Sequence, residues 1–335
     1  FMWPKSFWQK IYEPLIRRAA GLGVAPLKPD PDRYEHKFEY CDILVAGSGP
    51  SGLSSALAAA KNGARVILAE DKPRFGGSLL TDEVTIGNKK GKDWADETIS
   101  QLKSMPNVIV KNRSQVFGYY DHNMMVMLER TKDHIENPKK FTPRHRLWYV
   151  RAKEVIISTG SIERPLVFGN NDRPGIMLAS AAKEYIRVYG VLVGKKPIIF
   201  TNNDSGYDLA IDFKKNGIKP IVVDIRKNSD SSVVLEAKNL NIDIRFSHGV
   251  VNSGGYKRVK YAIIGKLNSD KSGYEHLEKV SCDCICISGN WTPTVHLSSQ
   301  SGNKLKFDNK IDAFIPNQSK QRENTLGSAK GLFTL

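Results

Sequence analysis

The stretch CDILVAGSGPSGL at residues 41–53 decides the fold. Its apolar half predicts a buried β-strand, and the glycines that follow, Gly47, Gly49 and Gly52, match the G-x-G-x-x-G loop that joins a strand to a helix. The next residues, LSSALAAAKNG, are typical of a helix, and ARVILAE predicts a second strand that ends at Glu70. This order of strand, glycine loop, helix, strand and acid indicates a dinucleotide-binding unit.

Each glycine has its own role in such a loop. We expect Gly47 to turn the chain sharply off the strand, Gly49 to let the backbone approach a pyrophosphate, and Gly52 to let the helix pack closely on the strand. The start of the helix, at Ser51, offers unpaired N–H groups to phosphates. We expect Glu70 to accept hydrogen bonds from a ribose, which favours NAD or FAD over NADP. A glycine turn that serves packing alone is the alternative.

Three later segments are also expected near the nucleotide. The paired glycine of DKPRFGGS, with Gly77, would let the backbone pass under the ribose or pyrophosphate, although it could be an ordinary turn. A buried strand that ends in small residues brings Thr159 and Gly160 close to the nucleotide. Val116 lies in a strand-like segment after the glycine unit, where backbone is expected to contact an adenine edge.

The stretch PIIFTNNDSGY at residues 197–207 repeats the outline of the first loop with fewer glycines. When the strands are aligned, Gly47, Gly49 and Gly52 fall opposite Thr201, Asn203 and Gly206. Two further landmarks keep the same spacing in both copies. A Lys-Asn-Gly sequence ends the helix, at Gly63 and at Gly217, and an acid ends the second strand, at Glu70 and at Asp224. Agreement at independent landmarks predicts a second βαβ unit.

The phosphate turn of this second copy is altered, because Thr201 and Asn203 carry Cβ atoms where the first copy has bare backbone. Asn and Asp tolerate turn conformations, so the turn can persist as structure. One interpretation is a fold kept without its ligand. The other is that Asn202, Asn203 and Asp204 contact something else, such as a subunit or the nucleotide of the first copy.

These patterns predict an α/β fold with two Rossmann-like, three-layer dinucleotide-binding domains, the second inserted in the first, and a small β-meander. The expected division is an N-terminal arm at 1–40, a discontinuous first domain at 41–190 and 270–335, and a degenerate second domain at 191–269. The segment CDCICISGNWTP is expected to be the strand that returns to the first domain.

Composition excludes several other functions. The formal charge of the 335 residues is +15, but the lysines are scattered, so we expect no nucleic-acid partner. No apolar run approaches the length of a membrane helix and no secretory leader is visible, so a cytoplasmic location without membrane contact is expected. The first residue is Phe1, and we expect the chain to be a piece of a longer polypeptide.

The cysteines and histidines indicate no chemistry of their own. Cys282, Cys284 and Cys286 are spaced by two, which predicts one face of a buried strand. No Cys-x-x-Cys pair exists, and no Cys/His cluster has metal-ligand spacing. We therefore predict no metal site and no catalytic residue.

Several segments together resemble the α subunit of heterotetrameric sarcosine oxidase, and the resemblance covers essentially the whole chain. They are FMWPKSFWQKIYEPLIRRAAGLG, RPLVFGNNDRPGIMLASA, IIFTNNDSGYD and SGNWTPTVHLSSQSG. The resemblance implies the middle of that subunit, between a ferredoxin-like segment and a folate-binding, aminomethyltransferase-like domain. That family usually has GGGPAG in its first loop, and the GSGPSG of this chain keeps all three glycines.

What the resemblance implies is an oxidoreductase acting on CH–NH donors, in which this segment is inactive alone. The complex would convert sarcosine to glycine, hydrogen peroxide and 5,10-methylenetetrahydrofolate, with β, γ and δ subunits as partners. FAD and a covalent FMN would belong to the β subunit, and NAD to the first fold of this chain. The implied NAD contacts are Ser51, Glu70, Asp71, Lys72, Ser78, Val116 and Ala329.

Three alternatives stay open. The chain could belong to an FAD-dependent NAD(P)H oxidoreductase, with FAD in the first fold, although that enzyme needs two working loops. It could belong to the α-type subunit of an opine- or glycine-oxidising complex. It could also be a non-enzymatic assembly platform that NAD merely stiffens.

Overall fold

A computed structural model describes residues 3–23 and 26–334 of the chain. The α-helices are α1 (Glu13–Ala19), α2 (Pro50–Lys61), α3 (Gly91–Ser104), α4 (Ala179–Tyr189), α5 (Ser205–Lys215), α6 (Ser232–Asn239) and α7 (His296–Gln300). Short 3₁₀ turns lie at Lys5–Phe7, Gly77–Leu80, Asp121–Asn123 and Gly327–Lys330, and a π-helical turn lies at Trp8–Tyr12.

The strands follow in chain order. They are β1 (Tyr34–Ala46), β2 (Val66–Ala69), β3 (Thr85–Ile86), β4 (Lys89–Lys90), β5 (Val108–Lys111), β6 (Ser114–Tyr120), β7 (Met124–Arg130), β8 (His145–Ile157), β9 (Ser161–Glu163), β10 (Ile176–Leu178), β11 (Pro197–Thr201), β12 (Ile221–Asp224), β13 (Asp243–Phe246), β14 (His248–Gly254), β15 (Tyr261–Leu267), β16 (Tyr274–Ser281), β17 (Cys284–Ser288), β18 (Trp291–Pro293), β19 (Lys304–Asp308), β20 (Ala313–Gln318) and β21 (Glu323–Thr325).

A seven-stranded sheet in the order β5-β2-β1-β8-β7-β6, with β21 beside β8, forms what we call the first fold together with α2 and α3. Strands β5, β2, β1, β8 and β21 are parallel, whereas β6 and β7 make the antiparallel meander. Ala46 pairs with Ala69 on one side and with Ile157 on the other. The glycine loop, Glu70 and Ser158 therefore leave the sheet at the same edge.

The strand-like segment that contains Val116 is the second of two strands, β5 and β6, that follow the glycine unit in the structure. Strand β5 runs parallel to β2, whereas β6 runs antiparallel to β7. The chain turns between them at Asn112 and Arg113, where Arg113 has a φ of +50°. Nothing in the apolar pattern marks this turn, because it is made by non-glycine residues.

A second sheet, in the order β10-β17-β11-β12-β13 and parallel throughout, forms the second fold with α4, α5 and α6. The predicted βαβ unit is present as β11, α5 and β12. The two helices end alike, α2 before Gly63 with a φ of +83° and α5 before Gly217 with a φ of +77°. The prediction of two Rossmann-like folds is therefore confirmed.

The second fold takes strands from outside the predicted range 191–269. Strand β10 enters from the N-terminal side, and β17, which contains CICIS, lies between β10 and β11. The expectation that CDCICISGNWTP returns to the first sheet is wrong, because β21 makes that return beside β8. The division into domains stays a prediction. The place of β10 and β17 in the second sheet supports an inserted domain that begins before residue 191 and ends after residue 269.

The three neighbouring cysteines do not share one face, which corrects the sequence prediction. Cys284 and Cys286 lie side by side with their Sγ atoms 3.5 Å apart and pack toward α4 and α5. Cys282 packs with Ile285 and Ile287 on the opposite side. The alternation fails because the chain bends at Asp283 before β17 begins. Burial raises the pKa of Cys282 to about 12, so this thiol stays protonated at neutral pH.

Residues 34–40 of the predicted arm belong to β1 and pair with β8, whereas the beginning of the arm packs little against the rest. Its helix α1 and the turns before it contain no buried residue. Residues 1, 2, 24 and 25 of the predicted arm, and residue 335 of the predicted first domain, lie outside the described residues. None of the helices in the described ranges combines the length and apolar character needed to cross a membrane.

Candidate functional site

The first glycine loop, residues 47–52, is shaped by two packed glycines and one that faces open space. Gly47 has a φ of +100°, and a methyl group on it would overlap the carbonyl oxygen of Ser158. A methyl on Gly52 would overlap the carbonyl oxygen of Gly47, so α2 sits as close to the loop as expected. Gly49 has ordinary angles, φ −65° and ψ −177°, and a methyl there would meet no atom within 4 Å. The space above Gly49 is thus a cradle that a side chain would fill.

The carboxylate of Glu70 is held toward this loop by a residue that sequence reasoning missed. Ser48 donates to Glu70 Oε2 from its backbone N–H at 2.9 Å and from its hydroxyl at 2.6 Å. The other oxygen, Oε1, accepts the N–H of Lys72 at 2.9 Å. A carboxylate oxygen has two lone pairs, so Oε1 keeps an acceptor position for a ribose hydroxyl. The sequence offered one signal of this contact: Ser48 places a hydroxyl between two loop glycines, and Glu70 is the acid at the end of the next strand.

The turn with the paired glycine lies directly against the loop. Gly76 donates its N–H to the Ser48 carbonyl at 3.0 Å. Gly77 has a φ of +56°, and a methyl on it would lie only 2.8 Å from the Cα of Gly49. Both glycines are therefore required by geometry, and the exposed Ser78 follows at the start of the 3₁₀ turn.

The C-terminal 3₁₀ turn reaches the other side of the loop. A methyl on Gly327 would lie 2.5 Å from Ser51 Oγ, and one on Gly160 would lie 3.9 Å from Ser328 Oγ. Ala329 itself exposes no surface. Any contact that this turn makes with a ligand in this conformation therefore comes from its partly exposed neighbours, of which sequence reasoning missed Ser328.

The strand that ends in small residues is fixed beside the loop by hydrogen bonds to one segment. Thr159 donates its hydroxyl to the Thr294 carbonyl at 3.1 Å. Thr294 returns its N–H to the Gly160 carbonyl at 3.0 Å. Both residues are half-buried, so the structure places them next to the cradle with part of their surface open.

The remaining predicted contacts lie on the Glu70 side. Strand β6 begins beside Glu70, where the Ser114 N–H donates to the Glu70 carbonyl at 2.8 Å, and the half-buried Val116 follows. The charged pair after Glu70 is engaged with other side chains. Asp71 bonds Arg130 at 2.7 Å and Lys72 bonds Glu184 at 2.7 Å.

The second loop, residues 201–206, is filled by its own side chains. Asn203 Oδ1 accepts the N–H of Ser205, the first residue of α5, at 2.8 Å, and Asn203 Nδ2 donates to the Ser288 carbonyl at 3.0 Å. Thr201 Oγ1 accepts the Asn203 N–H at 3.1 Å. The indole N–H of Trp291 donates to Ser205 Oγ at 3.0 Å. The helix start that would meet a pyrophosphate is therefore covered.

The acid of the second copy is also occupied. Asp224, which is fully buried, accepts the hydroxyl of Tyr207 at 2.7 Å and the guanidinium of Arg226 at 2.8 Å. Arg226 also donates to Asp204 at 2.7 Å, which joins the loop to the strand end. Burial acts to lower the pKa of Arg226, but its hydrogen bonds to Asp224 and Asp204 raise that pKa above its ordinary value. Burial and the bond to Asp224 raise the pKa of Tyr207.

The first loop collects polar groups that can bind a ligand. Its polar atoms are backbone N–H groups, hydroxyls and one carboxylate, which suit a dinucleotide. Among residues 3–23 and 26–334, no group of three His, Cys, Asp or Glu side chains is placed to hold a metal ion.

The two Rossmann-like folds and the glycine loop have the architecture that is found in dinucleotide-binding oxidoreductases. A profile of the family described as FAD dependent oxidoreductase matches residues 42–116. Thioredoxin reductase from T. acidophilum has the same fold, with a TM-score of 0.65 and 17% identity, over 88% of this chain and 92% of that one.

Within that class, the chain is related in sequence to sarcosine oxidase subunit alpha. It is 40% identical to the protein of that name from Rhizobium meliloti, over 99% of this chain and 32% of the relative. It is 35% identical to the one from Corynebacterium sp. strain P-1, over 93% of this chain and 33% of the relative. The resemblance seen in the sequence is confirmed, and the chain spans about a third of the length of these relatives.

Proposed function

We propose that this chain binds one NAD molecule in its first fold and no dinucleotide in its second. The observation that carries the proposal is the contrast between Gly49, above which the space is open, and Asn203, which holds the equivalent position and accepts the N–H of Ser205 at the start of α5. Gly77 packs against Gly49, and the backbone at Thr159 packs against Gly47 in the same loop. A phosphate above Gly49 would meet the N–H groups and positive dipole end of α2.

The geometry around Glu70 supports a nucleotide with a free 2′-hydroxyl. Ser48 fixes the carboxylate in one orientation, and its Oε1 keeps room to accept a hydroxyl donor. A 2′-phosphate would bring negative charge next to a buried carboxylate, which disfavours NADP. When bound, NAD can accept or donate a hydride.

The choice of NAD over FAD rests on the relationship to sarcosine oxidase subunit alpha. FAD in the first fold is the competing assignment, and the family profile over residues 42–116 favours it. An FAD-dependent NAD(P)H oxidoreductase would also need a second open loop, and Asn203 with Trp291 closes that loop here.

For the whole polypeptide, we propose a subunit of a cytoplasmic heterotetramer with β, γ and δ partners. That complex would oxidise the CH–NH group of sarcosine with molecular oxygen and pass the one-carbon unit to tetrahydrofolate, which gives glycine, hydrogen peroxide and 5,10-methylenetetrahydrofolate. FAD and covalent FMN would be carried by β. In that complex, the described residues of this chain supply the NAD site and the structural support for it. The competing proposal is that the amine substrate of the complex is an opine.

The nucleotide released from the full polypeptide tests the assignment. The full polypeptide is to be purified without partner subunits, so that no β-subunit flavin is present. It is then denatured, and the nucleotide that it releases is identified by chromatography and by its mass. We expect NAD and no FAD. Released FAD, with a flavin absorbance that NADH bleaches before denaturation, would show that the first fold is a flavin site in a reductase.

A further inference from the structure

Helix α4 of the second fold carries two buried cations that face the first fold. The side chains of Lys183 and Arg187, one helical turn apart, are only 10% and 14% exposed. Burying a charge is costly unless it is paired and hydrogen-bonded. The groups that pair with these two side chains therefore show which parts of the protein the side chains join.

The partners of Lys183 come from both folds. Its Nζ lies 2.8 Å from Asp82 Oδ1, in the segment after the paired-glycine turn, and 3.1 Å from Asp208 Oδ2 in α5. Burial acts to lower the pKa of Lys183, but the charges of Asp82 and Asp208 raise it above its ordinary value. The lysine is therefore charged at neutral pH and binds two carboxylates at once.

Arg187 makes a parallel link. It holds Asp212 of α5 through two hydrogen bonds, from Nε at 2.7 Å and from Nη2 at 2.8 Å, and it donates Nη1 to the Thr81 carbonyl. Glu184, on the same helix, bonds Lys72 at 2.7 Å. Three residues of α4 thus contact the stretch of the first fold that follows Glu70.

That stretch leads directly to the nucleotide cradle. The 3₁₀ turn Gly77–Leu80 ends where Thr81 begins, and Leu79 within it is buried. At its other end, Gly77 lies against Gly49. A displacement of residues 81 and 82 would therefore move the wall of the cradle.

We propose that Lys183 and Arg187 are positioning residues that hold the 76–82 turn against the first glycine loop. The second fold, whose own loop is filled, then serves as a support for the nucleotide site of the first. This inference rests on the proposed NAD site.

The test is the rate of NAD release from the full polypeptide. Lys183→Met keeps the length of the side chain but leaves Asp82 without its partner, so we expect release to be about tenfold faster. Lys183→Arg should release NAD within about twofold of the unaltered protein. Arg245→Met is the matched control, because it breaks ion pairs to Asp243 and Glu278 elsewhere in the second fold and should leave release unchanged.

Hydrogen exchange of the NAD-free protein separates positioning from general destabilisation. In Lys183→Met, amides of residues 76–83 should exchange faster while those of β11 and α5 keep their protection. If Lys183→Met does not fold, Asp82→Asn breaks the same pair from the more exposed side and should accelerate release in the same way.

An unchanged release rate in a folded Lys183→Met or Asp82→Asn protein would overturn the inference. Failure of the proposed function is distinct, because the unaltered polypeptide would then contain no NAD at all.

Discussion

Replacing Gly49 by valine should abolish nucleotide retention and leave the protein folded. The backbone at Gly49 has a φ of −65°, which any residue adopts, and its missing Cβ points into open space. A valine side chain would occupy the place where a pyrophosphate must approach. Because each 1.4 kcal/mol is a factor of ten and several phosphate hydrogen bonds would be lost, we expect affinity for NAD to fall about 100-fold or more.

Gly273→Val is the matched control for this variant. Gly273 has no positive φ, and its nearest contact for a Cβ is Asn268 at 3.6 Å, far along the chain from the loop. It should bind NAD like the unaltered protein. Equal NAD affinity in Gly49→Val, measured by equilibrium titration, would mean that the first loop is not the site.

Replacing Arg226 by methionine should destabilise the second fold by about 3 kcal/mol. The substitution removes the charge that pairs with Asp224, which is fully buried, and with Asp204. Only the neutral donors, the Tyr207 hydroxyl and the backbone N–H of residue 226, would then be left to satisfy the Asp224 carboxylate. The loss is to be measured as the free energy of unfolding in urea, followed by circular dichroism.

Arg245→Met again supplies the comparison, because the carboxylates that it pairs with are about half exposed. Exposed ion pairs contribute about 0–1 kcal/mol. If Arg226→Met cost no more than Arg245→Met, the second loop would not be closed by an internal ion-pair network.

The comparison of the two loops shows what local sequence can and cannot predict. Gly52 and Gly206 hold the same position, and in both copies the glycine lies against the strand or loop below it. Gly49 and Asn203 differ, because that position faces open space in one copy and hydrogen-bonds the loop itself in the other. Spacing was enough to align the folds and to indicate which one had lost its phosphate turn.

Features that depend on long-range packing were not available from the sequence. The bond between Ser48 and Glu70 requires two side-chain orientations that no motif specifies. The place of β17 in the second sheet is a matter of strand order, which local periodicity does not encode. The contact of Lys183 with Asp82 joins residues about 100 positions apart, so no local pattern around either residue predicts it.

We propose that the first fold binds a dinucleotide and that the second fold does not. Titration of the nucleotide-free full polypeptide with NAD, followed by calorimetry, counts the sites directly. We predict one NAD per chain for the unaltered protein and none for Gly49→Val at the same concentrations. Two sites per chain, or one site that survives Gly49→Val, would contradict the proposal of a single site in the first fold.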